Sequence, residues 1–124
     1  MSTDSLPRPL EWAVEAAQNK KALGIAALHL APLGAFTDAF LICSGESARQ
    51  VQAISDEIEE QLTRRGVRPA HREGYETAEW VLLDYGDFIV HVFNERARLY
   101  YDLERLWRSA RRTDFPEASE GAAR

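Results

Sequence analysis

The chain of 124 residues contains one cysteine, two lysines and no long apolar run. Each scarcity excludes something. A lone Cys43 cannot close an intrachain disulfide, which points to a reducing compartment. The most apolar stretch, 22–36, is fifteen residues long and is interrupted by His29 and Pro32, too short to span a bilayer. Residues 1–9 carry Asp4 and no apolar core, so they read as neither a secretory signal nor an Arg-rich transit peptide. A cytoplasmic protein without a membrane partner is expected. Excess positive charge is also missing: fifteen cations stand against twenty anions, a net charge of −5. Phosphate backbones need a basic footprint, so no direct nucleic-acid specificity is expected and a basic partner is favoured.

The usual signatures of chemistry are absent too. His29, His71 and His91 lie far apart with no second cysteine, so no zinc-ligand spacing exists. Neither GxxxxGK[ST] nor GxGxxG occurs. Cys43-Ser44-Gly45, at a strand end before a helix, is where a nucleophile or a phosphate cradle would sit, but it lacks the G-x-S-x-G frame. Asp84 and Asp87 straddle a turn rather than alternating on one strand face, as a pair holding two metal ions would. No catalytic residue, metal site or cofactor is assigned.

What is present is enough for one core. Twelve aromatic residues and 45% hydrophobic content suit a single folded domain. We place it at 10–108, between an N-terminal arm, 1–9, and an Arg-containing C-terminal tail, 109–124, both expected to fray. Leu10 to Ala22 reads as a helix, Ile25 to Leu30 and Asp38 to Cys43 as strands. Val51, Ile54, Ile58 and Leu62 form a helical stripe opened by Ser47 and Gln50 and closed by Gly66. Val67 to Arg72 follows as a short strand. Glu79 to Asp84 and Phe88 to Phe93 are apolar strands joined through Tyr85-Gly86-Asp87, and their near-continuous apolar runs suit strands covered on both faces. A helix over 96–108 closes the domain. The order implies an α/β fold, a mixed sheet flanked by helices.

Charge along this framework is segregated. Glu73, Glu76, Glu79, Asp84 and Asp87 put five acids and no base into fifteen residues. From Glu95 to Arg112 six arginines oppose three acids. Solvated loops are the plain reading; steered recognition is the alternative. Trp80 and Tyr85 sit among the acids, and the last helix carries Leu99, Leu103 and Leu106 beside Tyr100 and Trp107, a wider apolar arc than one sheet-facing side requires. His91, alternating with Ile89 and Phe93, reads first as a hydrogen-bonded structural histidine.

Three segments resemble the ribosomal silencing factor (Iojap-related) family. They are Asp38 to Ser47 with Arg49 to Ile54, then Glu73-Gly74 with Glu79 to Phe93, and Arg98 to Trp107. The resemblance implies a nucleotidyltransferase-like fold without the transferase site. It also implies binding to large-subunit ribosomal protein L-fourteen, which would sterically block subunit joining and repress translation when nutrients are scarce. The matching positions carried over as partner-binding are Trp80, Leu82, Asp84, Tyr85, Asp87, His91, Arg98, Tyr100 and Leu103. Two other readings stay open: a nucleotidyltransferase-like enzyme or nucleotide-binding protein cradling phosphate at Ser44-Gly45, and a module that forms a homodimer when free.

Overall fold

The longest amphipathic stripe folds as its spacing predicts. In the computed structural model, which describes residues 6–118, helix α2 runs Ala48–Arg64 and buries Val51, Ile54, Ile58 and Leu62. Ser47 caps its start, accepting a hydrogen bond from the Gln50 amide, while the Gln50 side chain reaches back to the Glu46 amide. At its other end Gly66, at φ +84°, donates to the Thr63 carbonyl and Val67 donates to that of Leu62. This pair of bonds satisfies the last carbonyls and turns the chain out of the helix.

Helix α1 (Arg8–Asn19) lies beside α2. Strands β1 (Leu23–His29) and β2 (Ala39–Gly45) follow it, joined through a 3-10 turn at Ala31–Leu33. After α2 come β3 (His71–Glu73), β4 (Trp80–Asp84) and β5 (Phe88–Asn94), then α3 (Glu95–Tyr101), α4 (Leu103–Leu106) and β6 (Arg111–Asp114). The six strands form one sheet in the order β3-β4-β5-β2-β1-β6. Among the described residues only β2 and β5 pair in parallel. This is the expected mixed sheet flanked by helices.

Alternation divides the sheet's side chains between two apolar layers. Leu41, Cys43, Val81, Leu83, Val90 and Val92 face α1 and α2; Leu28, Phe40, Ile42, Ile89 and Phe93 face the other way. Beside Ala35 of the β1–β2 connection, the second layer is covered by the short α3–α4 segment and the turn after it, through Ala97, Leu103, Trp107 and Ala110. Coverage there is incomplete. Strand β5 is buried on both faces as its sequence suggests, whereas Trp80, Leu82 and Asp84 of β4 stay half-buried.

Four expectations are revised. The third strand starts at His71, because Val67 still belongs to the turn out of α2 and packs on the core. The closing helix is broken at Asp102, which adopts left-handed backbone at φ 50°, a conformation Asp tolerates better than most residues. The presumed tail does not simply fray, since Arg111–Asp114 pairs antiparallel with β1, Thr113 contacts His29 at 2.7 Å, and Phe115 donates to the Ile25 carbonyl. The N-terminal arm is likewise shorter than expected, with Leu6 packed on the core and α1 beginning at Arg8. The remainder of both terminal segments, 1–5 and 119–124, lies outside the described residues.

Because β6 supplies one ladder of β1 and a partly buried Phe115, truncation after Ala110 is expected to cost about 2 kcal/mol or more. Urea denaturation of the full and shortened chains checks this, and superimposable curves would show that β6 is dispensable.

Candidate recognition surface

The half-covered layer is built around one indole. Register places Trp80 opposite Phe93 and Leu82 opposite His91, so these four share the face beneath α3 and α4. The Trp80 Nε1–H donates to His91 Nδ1 at 3.0 Å. An accepting Nδ1 puts the proton of the neutral imidazole on Nε2, which is buried with no partner among the described residues. His91 is 3% exposed, with Phe40 edge-on at 4.5 Å. Burial pushes its pKa down from 6.5 to about 3, so it stays neutral at physiological pH. Trp80 also contacts Phe93 at 5.0 Å and Tyr101 at 4.7 Å between ring centroids, linking the sheet to α3. His91 therefore lies under the surface and supports it.

Around the indole the carried-over residues divide. Leu82 is half-buried beside it and Leu103 packs on the same layer from α4. Asp84 is half-buried and accepts from the Gly86 amide at 2.8 Å, tightening the turn that leads to exposed Asp87. Glu73, Glu76 and Glu79 are exposed on the approach to the same strand. Tyr85 turns to the opposite layer, stacks on Phe88 at 5.0 Å and packs against the core under α2. Its hydroxyl is buried without a partner among the described residues, and burial raises its pKa. Tyr85 is thus separated from the other eight.

Arg98 has a different task. Its Nε and Nη2 donate to the two carboxylate oxygens of Glu104 at 3.1 and 2.9 Å, spanning the break between α3 and α4. Nη1 donates to Ser44 Oγ at 2.9 Å and approaches the Leu23 carbonyl at 3.5 Å. The Arg98 hydrogen bonds hold the Glu104 carboxyl below its ordinary range, and Arg112 adds a second cation at 2.8 Å. Gly24, at φ +55°, makes room for this guanidinium, since a Cβ there would stand 2.7 Å from Nη1. The adjoining cleft of about 670 Å³ is lined by Glu95, Asp102, Glu104 and Glu117 as well as Arg98. Among the described residues that lining is acidic and its one guanidinium is engaged, which disfavours an anion there. Ser44, the residue suggested for a phosphate cradle, is buried and occupied by Arg98. Burial also pushes the Cys43 thiol up to about 12, the behaviour of a core residue rather than a nucleophile.

The break at Asp102 creates the exposed part of the surface. On a continuous helix Leu99, Leu103 and Leu106 would share a stripe; here Leu103 turns inward while Leu99 and Leu106 are 80% and 73% exposed. Tyr100 is 80% exposed and its ring meets that of Tyr101 edge-on at 5.0 Å. Between α3 and α4 lies a groove of about 500 Å³ lined by Leu99, Tyr100, Tyr101 and Leu106, with Arg105 and Arg108 at its rim. Tyr101 was not singled out from sequence. Its membership follows from the Trp80 contact, which only the tertiary fold creates.

These features define a class: an α/β domain with a layered core on one side of its sheet and a half-covered, aromatic, acid-flanked face on the other. Comparison with known proteins narrows it. The family model described as "Ribosomal silencing factor during starvation" matches residues 3–124. The chain is 46% identical over 101 residues to ribosomal silencing factor RsfS of Halalkalibacterium halodurans, covering 82% of this chain and 86% of that one. It is 44% identical over 106 residues to the protein of that name from Bacillus subtilis, covering 86% and 90%. Among solved structures, a Bacillus halodurans crystal structure aligns at TM-score 0.72 and 47% identity, over 79% of this chain and 91% of that one. A Chromobacterium violaceum protein aligns at TM-score 0.78 and 33% identity, over 90% and 93%. The chain belongs to the ribosomal silencing factor family. No helix among its described residues is long and apolar enough to cross a membrane.

Two outcomes follow from this geometry. The unfolded chain takes up a proton at His91 below pH 6.5, whereas the folded chain resists it down to about 3. The contribution of His91 is therefore complete above pH 6.5 and is lost as the pH falls, by about 2 kcal/mol near pH 5. The urea midpoint should fall less between pH 7 and pH 5 in His91→Phe than in the parent; equal falls would refute this. Arg98→Lys cannot reproduce the two-pronged grip on Glu104 and should cost about 1–2 kcal/mol. Amide exchange over 95–106 should quicken, and unchanged protection there would show that Arg98 does not hold the corner.

Proposed function

We propose that this protein docks on the large ribosomal subunit through ribosomal protein L-fourteen and sterically blocks joining of the small subunit, repressing translation under nutrient limitation. It acts in the cytoplasm, without a cofactor, as a binding factor and not as an enzyme. The observation that carries the reading is the half-covered aromatic face centred on Trp80, with Leu82 and Tyr101 beside it and Asp84, Asp87 and Glu79 around it. A layer left open by α3 and α4 offers apolar area for a partner, and the flanking acids steer a basic one. Ribosomal proteins are typically basic, which makes the pair complementary. Blocking subunit joining requires only bulk at the interface.

The same openness favours a homodimer when free. Leu99, Tyr100 and Leu106 are exposed on one corner, and a second copy would cover them until the ribosomal partner competes. Arg98 and Leu103 act by shaping that corner, Tyr100 by contact.

Trp80→Ala is expected to weaken co-sedimentation with isolated large subunits by about 2 kcal/mol, some thirtyfold, and Asp84→Lys combined with Asp87→Lys to slow association chiefly at low salt. Affinities unchanged by both would refute the site. Sucrose gradients in which the parent protein leaves subunit joining untouched would refute the function.

A further inference from the structure

The connection between β1 and β2 adjoins the hairpin turn. Residues 30–38 form a closed loop: the amides of Leu30 and Ala31 both donate to the Asp38 carbonyl, at 2.8 and 3.0 Å, and Leu33 donates to that of Leu30. This loop is fastened to the hairpin turn. Buried Thr37 donates its hydroxyl proton to the Gly86 carbonyl at 2.8 Å, and the Asp38 amide donates to the Asp87 carbonyl at 3.0 Å. Ala35 packs inward on the half-covered layer.

Phe36, between these anchored neighbours, is 74% exposed. Its single aromatic contact is the edge of Phe40 at 6.2 Å among the described residues, and Phe40 in turn lies against His91. Leu33, also exposed, stands on the same loop. A lone exposed aromatic on a mobile loop needs no explanation. Here the backbone on both sides is hydrogen-bonded into place, so the ring is held out by a preorganised frame. The two segments that hold it are acidic: Asp38 and Asp87 are exposed, Asp84 is half-buried, and neither 30–38 nor 84–88 contains Lys, Arg or His, while Arg111 stands opposite His29 where the loop begins.

We propose that Phe36 is a second anchor of the docking face, entering an apolar recess flanked by cationic side chains on the basic protein that the hairpin recognises. The proposal rests on the docking reading above and adds the loop that specifies its partner. The acids beside the ring select cationic surroundings, and the ring requires a recess among them. A basic surface without that recess would satisfy the acids alone and bind more weakly.

The experiment measures affinity for purified large ribosomal subunits by co-sedimentation across a range of salt, with thermal unfolding in parallel. Phe36→Ala should lower affinity at least tenfold at every salt concentration with an unchanged unfolding midpoint, because the ring is exposed and supports little of the core. Phe36→Leu should recover part of the loss. Charge reversal at Asp87, by contrast, should lose its effect as salt rises. Parent-like affinity for Phe36→Ala, while Trp80→Ala binds weakly, overturns the second anchor and leaves the docking reading standing. Failure of the parent protein itself to bind large subunits overturns the docking reading and this proposal together.

Discussion

The parallel pairing of β2 with β5 is the constraint on which the other parts depend. Seven register pairs, from Ala39 with Phe88 to Gly45 with Asn94, run down the middle of the sheet. Parallel neighbours cannot be joined by a tight turn, so the chain between them must cross over. That crossover is α2 followed by the β3–β4 segment, which fills one side and returns as an antiparallel edge. The helical layer under the sheet and the acidic hairpin at its margin are both consequences of one pairing. So is the uneven covering of the two faces, because little chain remains after β5 to cover the second one.

That shortage is where structure meets role. Apart from Ala35 of the β1–β2 loop, α3, the short α4 and the turn after it cover the second layer, and Arg98 staples them across the break at Asp102. A longer unbroken helix would have buried Leu99 and Leu106 beside Leu103. The bent corner instead divides the apolar residues between inside and outside. The ion pair with Glu104 and the room at Gly24 hold that division in place.

Much of this was legible in the residues. The α2 stripe, the capping Ser47 and the closing Gly66 are local signals whose partners lie within a turn, so sequence spacing suffices. The hairpin through Gly86 is local for the same reason. The break at Asp102 was not legible, since Tyr-Tyr-Asp-Leu carries neither Gly nor Pro and its geometry is imposed by Arg98 bonding to β1 and β2, far away in sequence. Strand β6 was missed because Arg-Arg-Thr-Asp has no alternating apolar pattern; its stability comes from the β1 edge it joins. The candidate surface was half readable. Trp80, Asp84 and Asp87 stand out by type and clustering, whereas the burial of His91, the inward turn of Tyr85, the contact of Tyr101 with Trp80 and the exposure of Phe36 exist only once strands are in register.

The two ends of the sheet bear on how copies of the molecule meet. One edge is the three-residue His-Arg-Glu strand β3, the other the Arg-Arg-Thr-Asp strand β6. Both are short, exposed and charged, the features that discourage one sheet from extending into the next. Fibrous, open-ended stacking is therefore obstructed by the same strands that complete the fold.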